Sequence, residues 1–169
     1  IHSKSKRAGK PFVTINCAAI PENLIESELF GYVPGAFTGA NPKGKKGLVE
    51  IADTGTLFLD EVGLLPQNLQ IKFLELIQDK VFTPIGAVKS NTVDIRIISA
   101  TNLNLKKQIA EKKFREDLYY RLRVIEFNMP SLNERPDALD PLIDYFLSMY
   151  NRKYNIAKEL SFQAREMLH

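Results

Sequence analysis

The sequence predicts an α/β fold in which a parallel sheet is flanked by helices and followed by a helical segment. Short apolar runs alternate with stretches of helical periodicity, the pattern of strands joined by crossover helices. One run, Thr56-Leu57-Phe58-Leu59, is almost wholly apolar, as suits a strand covered on both faces. Beyond Pro136 the strand signals stop and only helical spacing remains.

Taken in order, Phe12-Val13-Thr14-Ile15 is a short strand, and Pro21 opens an amphipathic helix that shares Ile25 and Leu29 on one face and ends at Gly31. Gly35 to Ala40 form a loop, and Leu48-Val49-Glu50-Ile51 is an apolar run ahead of the strand at Thr56. Pro66 opens a helix with Leu69, Phe73, Leu76 and Ile77 at helical spacing. Lys80 to Val93 places Pro84, Gly86 and Ser90-Asn91 among β-branched residues, the composition of a hairpin leading into a strand over Ile95 to Ala100. Leu103 to Lys113 and Phe114 to Leu122 are helices, and Val124-Ile125-Glu126-Phe127 is a final strand. A helix over Leu139 to Tyr154 follows, then one capped by Ser161 and running to His169. The expected division is a core over 1–135 and the beginning of a helical subdomain over 136–169.

At 169 residues and 44% hydrophobic content the chain can bury a single core. A net charge of +3 without long runs of one sign gives no indication of direct nucleic-acid binding by this segment. The single Cys17 excludes an internal disulfide framework, and with two histidines it leaves little material for structural zinc. No apolar run reaches the roughly 18 residues needed to span a bilayer, and Ile1-His2-Ser3-Lys4 has no signal-peptide core, so a cytoplasmic protein without membrane contact is expected.

The chemistry-bearing residues fall at strand ends and in one loop. Gly35-Ala36-Phe37-Thr38-Gly39-Ala40 sets one aromatic ring among small residues, a composition that displays Phe37 and does not bury it. Asp60-Glu61 ends an apolar strand, at the carboxyl edge where open α/β sheets bind ligands. In a nucleotide hydrolase the first carboxylate would hold magnesium through water and the second would polarise the attacking water; the plain alternative is a strand end entering a polar loop. Asn102 leaves the next strand, where it would orient water or touch a phosphate oxygen, or cap the following helix. Asn16 after the first strand carries the same two readings. In the Phe114–Leu122 helix, at about 100° per residue, Arg121 falls about 20° from the apolar Phe114 and Arg115 about 100° round. Either Asp117 pairs with Arg121 and Arg115 is solvated, or both arginines project toward a neighbouring subunit as arginine fingers.

In this order, Glu28-Leu29-Phe30-Gly31, Gly35-Ala36-Phe37-Thr38-Gly39-Ala40, Gly55-Thr56-Leu57-Phe58-Leu59-Asp60-Glu61, Arg96-Ile97-Ile98-Ser99-Ala100-Thr101-Asn102 and Phe114 to Leu122 resemble the central AAA+ ATPase domain of sigma-54-dependent transcriptional activators, the bacterial enhancer-binding proteins. The resemblance runs from about Lys10 onward. It implies an AAA+ type parallel sheet flanked by helices and followed by the start of a helical lid, with ATP and magnesium as cofactors. Asp60, the magnesium-associated residue, and Glu61, the water-activating one, match the Walker B pair; Asn16 matches the residue that pairs with the catalytic glutamate; Asn102 matches sensor I; Arg115 and Arg121 match finger positions acting on a neighbour's nucleotide. Gly35, Ala36, Phe37, Thr38, Gly39 and Ala40 match the loop whose tip contacts sigma-54, and the Lys80–Val93 ribbon matches an insertion that assists it.

The implied mechanism is a subunit ring, commonly a hexamer, that hydrolyses ATP and transmits the phosphate state from Glu61 and Asn16 through the Glu22–Phe30 helix to the loop, which remodels the sigma-54 RNA polymerase holoenzyme. The glycines at 35 and 39 permit the backbone excursions that this motion needs. DNA contact and signal reception are expected in flanking domains. The sequence departs from the family in containing no Gly-x-x-x-x-Gly-Lys-[Ser/Thr] phosphate loop and no Gly-Asn-x-Arg-Glu-Leu sensor II segment. The protein is therefore expected to continue upstream, and these 169 residues alone are expected not to hydrolyse ATP. Two rivals stand beside this reading: a non-hydrolysing sigma-54-binding module, and an unrelated AAA+ machine, which would leave the Phe37 loop unexplained.

Overall fold

Three parallel strands, β1 (Phe12–Asn16), β4 (Thr56–Asp60) and β7 (Arg96–Ser99), are ordered β1-β4-β7 in a computed structural model that describes residues 1–168. The central strand buries Thr56, Leu57 and Leu59 completely, as its apolar sequence requires. On β1 only Ile15 is fully inside, while Phe12 is half exposed and stacks toward Phe58 on the neighbouring strand. Between them lie α1 (Glu22–Phe30), the short pair β2 (Gly31–Tyr32) and β3 (Lys45–Lys46), and the single-turn α2 (Leu48–Ile51). After β4 come α3 (Gln67–Asp79), the ribbon β5 (Val81–Phe82) with β6 (Asn91–Thr92), β7, α4 (Leu105–Ala110) and α5 (Glu116–Leu122).

Both long helices of this unit start the same way. Pro21 and Pro66 occupy the N-cap positions with φ of −53° and −55°, where a missing N–H removes no helical bond. α3 ends at Lys80, whose left-handed φ of +59° stops the helix and sends the chain into the ribbon. Its buried face carries Leu69, Gln70, Phe73 and Leu76, with Phe73 against Phe30 of α1 at a ring separation of 5.7 Å. A Lys72–Glu26 ion pair at 2.6 Å crosses the same helix pair at the surface.

Two sequence expectations need correction or completion. The run Leu48–Ile51 is one helical turn with Val49 fully buried; four residues are too few to display either period. The expected strand Val124–Phe127 does not form. A strand needs a hydrogen-bonded neighbour, no described strand pairs with this run, and Val124, Ile125 and Phe127 are 82%, 71% and 71% exposed.

The chain divides into two compact units, Ile1–Val124 and Ile125–His169. The second unit contains α6 (Leu139–Tyr154) and α7 (Phe162–Glu166). Ser161 caps α7 by accepting from the Ala164 amide at 3.2 Å, as its sequence position predicts; the end expected at His169 lies outside the described residues. Arg165 joins the two helices by ion pairs to Asp140 at 2.7 Å and Asp144 at 2.5 Å.

The α1–α3 packing sets a stability test. Phe73→Ala removes a ring that is 1% exposed and should cost about 3–5 kcal/mol in urea denaturation, whereas Ile71→Ala, 54% exposed on the same helix, should cost less than about 0.5 kcal/mol.

Candidate functional site

Register places the first functional group. β1 and β4 pair so that Asn16 stands opposite Asp60 at the carboxyl edge of the sheet, and Leu59 stands opposite Ser99. Glu61 then leaves β4 in a left-handed conformation, φ +54° and ψ +45°, which turns the chain sharply into the one-turn segment Val62–Leu64. Hydrogen bonds hold this turn from both sides. Asp60 Oδ1 accepts from the Glu61 amide at 3.1 Å, the Val62 amide donates to the Ala100 carbonyl at 3.0 Å, and Glu61 Oε2 accepts from the Asn102 amide at 3.3 Å. A Cβ on Gly63 would sit 2.9 Å from Thr101 Oγ1, so glycine is what lets the exits of β4 and β7 approach so closely.

Asp60, Glu61, Asn16 and Asn102 thus gather at one edge, with both carboxylates half-buried and both asparagines exposed. Asn102 does not cap the next helix. That role belongs to Asn104, whose Oδ1 accepts from the Lys107 amide at 3.1 Å. The Asn16 carboxamide oxygen accepts from the Ala18 amide at 2.9 Å, forming a local turn, and the Glu61 carboxylate is met by the Asn102 main chain.

The displayed loop lies elsewhere on the same unit. The β2–β3 pairing closes residues 33–44 into a hairpin loop, anchored to α1 by a Lys45–Glu28 ion pair at 2.5 Å. Phe37 is 46% exposed, and its ring stands edge-on to Tyr32 at 5.0 Å. Gly35 and Gly39 take φ of +74° and +86° with open space where a side chain would be. The ribbon is docked on the loop's base: the Ile85 amide donates to the Gly31 carbonyl at 2.9 Å, and the Val33 amide donates to the Ile85 carbonyl at 3.1 Å. Nothing in the sequence marked Ile85 for this contact.

The arginines occupy a third position. Arg115 is the N-cap residue of α5, and its extended backbone lets the guanidinium reach forward to Asp117, with Nε donating to Oδ1 at 3.0 Å and Nη2 to Oδ2 at 2.7 Å. The Asp117–Arg121 pair that spacing allowed is replaced by this one. Hydrogen bonding to Arg115 holds the Asp117 carboxyl below its ordinary pKa and raises that of Arg115; both groups are exposed, so the pair adds little stability. Arg121 is also exposed. No group of three or more metal-capable side chains occurs among the described residues.

Residues 1–128 match the Sigma-54 interaction domain family. The chain belongs to that family. It is 58% identical over 153 residues to an Escherichia coli K12 protein, UacR, whose name describes a uric acid sigma-54-dependent transcriptional regulator, covering 90% of this chain and 26% of that protein. It is 49% identical over 158 residues to the regulatory protein LuxO of Vibrio cholerae, covering 94% and 30%. Among solved structures it is similar to NtrX from Brucella abortus, with a TM-score of 0.91 and 38% identity over 99% of this chain and 37% of that one; NtrX has also been crystallised with ADP and with ATP. The chain spans from about a quarter to about half the length of the curated relatives it matches. The sheet, its flanking helices and the likeness to NtrX make the fold of this sigma-54 interaction domain AAA+.

Sequence reasoning gave Cys17 no part in the site, yet its amide donates to the Asp60 carbonyl at 3.0 Å. Burial first, and then the Asp60 charge, push the thiol up to about 11. The stability this contributes is fully present below pH 9 and is lost as pH rises through about 11, because only the unfolded thiol ionises in that window. At pH 8 the thiolate fraction should be about a hundredfold below that of an ordinary cysteine. Native Cys17 should therefore react with a disulfide reagent at least that much more slowly than in urea, measured by absorbance; equal rates would contradict the buried, carboxylate-flanked position.

Proposed function

We propose that this chain is the motor domain of a sigma-54-dependent activator that couples ATP hydrolysis in a ring oligomer to remodelling of the sigma-54 RNA polymerase closed complex through Gly35–Ala40. The observation that carries the reading is the junction at the sheet edge. Asn16 stands opposite Asp60, Glu61 is hydrogen-bonded to Asn102, and the chain runs from Asn16 through α1 directly into the base of the Phe37 loop. Adjacent half-buried carboxylates with an amide beside them suit a hydrated magnesium phosphate, the donor set of Asp60, Glu61 and Asn102.

In this mechanism ATP with magnesium supplies the phosphoryl bond whose cleavage drives the cycle. Asp60 would hold the hydrated cation, Glu61 would hold and polarise water, and Asn102 orients Glu61 through its main-chain bond, with its carboxamide available to a phosphate oxygen. Asn16, whose Oδ1 accepts from the Ala18 amide, would donate from Nδ2 to the Glu61 carboxylate, tying the phosphate state to α1. Arg115 leaves Asp117 to reach a neighbouring subunit's nucleotide, and Arg121 joins it. Nucleotide raises the loop only by the difference between its contacts in the raised and lowered states. The protein acts in the cytoplasm as a ring, a hexamer by family likeness, and contacts DNA through another domain. The rival reading, a non-hydrolysing sigma-54-binding module, would use Phe37 without needing Glu61 or the arginines.

Phe37→Ala in the intact protein should keep ATP turnover within about twofold of wild type while abolishing open-complex formation in a reconstituted sigma-54 transcription assay. Loss of both would count against a separate output loop. Because the 169 residues contain no complete phosphate-loop string, and backbone amides with the lysine carry much of the phosphate contact, calorimetry on this chain alone should detect no micromolar ATP binding.

A further inference from the structure

We propose that Gln70 is a positioning residue that fixes the arginine-bearing helix α5 to the turn leaving Asp60-Glu61. The inference rests on the reading of Arg115 as an interface arginine. Gln70 sits one turn into α3 and is fully buried, although an apolar residue of equal size would fill the same space without the cost of burying an amide. Each part of its amide is used. Nε2 donates to the Leu65 carbonyl at 2.8 Å and to the Lys113 carbonyl at 3.0 Å, and Oε1 accepts from the Arg115 amide at 2.8 Å.

These three partners belong to the two segments that matter. Leu65 closes the turn that begins at Glu61, with its amide donating to Val62 and that of Leu64 to Glu61. Lys113 and Arg115 flank Phe114, which is 3% exposed, immediately before α5. As the N-cap of α5, Arg115 has an N–H with no acceptor inside its own helix, so the Gln70 side chain is what satisfies it. A shift of the turn relative to α5 would break bonds on both sides of one buried amide, and an unsatisfied buried donor or acceptor is costly. Gln67, one turn earlier on α3, adds a second bond to this segment by donating from Nε2 to the Lys112 carbonyl. The carboxylate edge serves the subunit's own nucleotide and the arginine serves the neighbour's. One side chain therefore sets the geometry between two successive sites of a ring.

The test combines amide exchange with kinetics on the intact protein that carries this chain. In the wild type the Arg115 amide should be protected to the level of core amides of α3 such as Phe73; exchange at an unprotected rate would overturn the proposal before any variant is made. Gln70→Met should speed exchange at Arg115 by about a hundredfold while leaving Phe73 protected. The same variant should lower kcat for ATP about tenfold with KM changed less than about twofold, the pattern of a misplaced group felt in the transition state. In an Arg115→Ala background it should lower kcat no further, whereas a full additional tenfold loss would overturn the role through Arg115. If Arg115→Ala alone turns over ATP at the wild-type rate, the interface reading of Arg115 fails and this proposal fails with it, a result separate from additivity. Should Gln70→Met fold poorly, Gln70→Glu, protonated where it is buried against two carbonyls, keeps the acceptor for Arg115 and at most one of the two donations; its Arg115 protection should fall by less than tenfold, and full loss would overturn the proposal.

Discussion

Parallel, in-register pairing of Phe12–Asn16 with Thr56–Asp60 fixes everything downstream of it. Because the two strands end level, Asn16 and Asp60 face the same edge, and the pairing of Thr56–Leu59 with Arg96–Ser99 brings the exit toward Asn102 beside them. A one-residue slip would exchange the faces of every side chain on β1 and separate Asn16 from Asp60. The central strand cannot slip without exposing Leu57 and Leu59, both fully buried. The apolar core therefore positions polar groups that it does not contain. The left-handed Glu61 and the close approach at Gly63 are local costs accepted within that frame, held by bonds from Ala100 and Asn102.

The loop at Phe37 is built for a different requirement. It has two glycines at positive φ, an exposed ring resting on Tyr32, and an anchored base. The base is shared: Ile85 of the ribbon bonds to Gly31 and Val33, and a Cβ on Gly86 would come within 2.9 Å of Ala36 Cβ. Loop and ribbon are thereby joined by main-chain bonds at a point where α1 ends. Both are thereby fixed to the end of α1, and the Lys45–Glu28 pair ties the far side of the hairpin to the same helix.

Much of this was legible in the sequence because the signals were local. Pro21 and Pro66 announce helix starts, Thr56–Leu59 announces a buried strand, and Ser161 announces a cap, each through chemistry contained within a few residues. The expected strand Val124–Phe127 had the right local composition, but a strand is defined by a partner, and composition carries no information about one. The same limit explains the arginine pairing: helical spacing favoured Asp117 with Arg121, while Arg115 lies outside the helix and reaches Asp117 from the N-cap. Gln70 was invisible for the opposite reason. A glutamine among Leu69, Phe73 and Leu76 looks like a surface position in sequence, and only the placement of Leu65, Lys113 and Arg115 around it reveals why a polar group is buried there.

The central claim is that the state of the carboxylate edge sets the position of the Phe37 loop. Spin labels at Thr38 on the loop and at exposed Gln78 on α3, in a cysteine-free background of the intact protein, measure that position directly by electron–electron double resonance. Addition of magnesium with a non-hydrolysable ATP analogue should shift the Thr38–Gln78 distance distribution, and Asp60→Asn should remove the shift. A distribution that is the same with and without nucleotide, in protein shown to have bound it, would contradict the account.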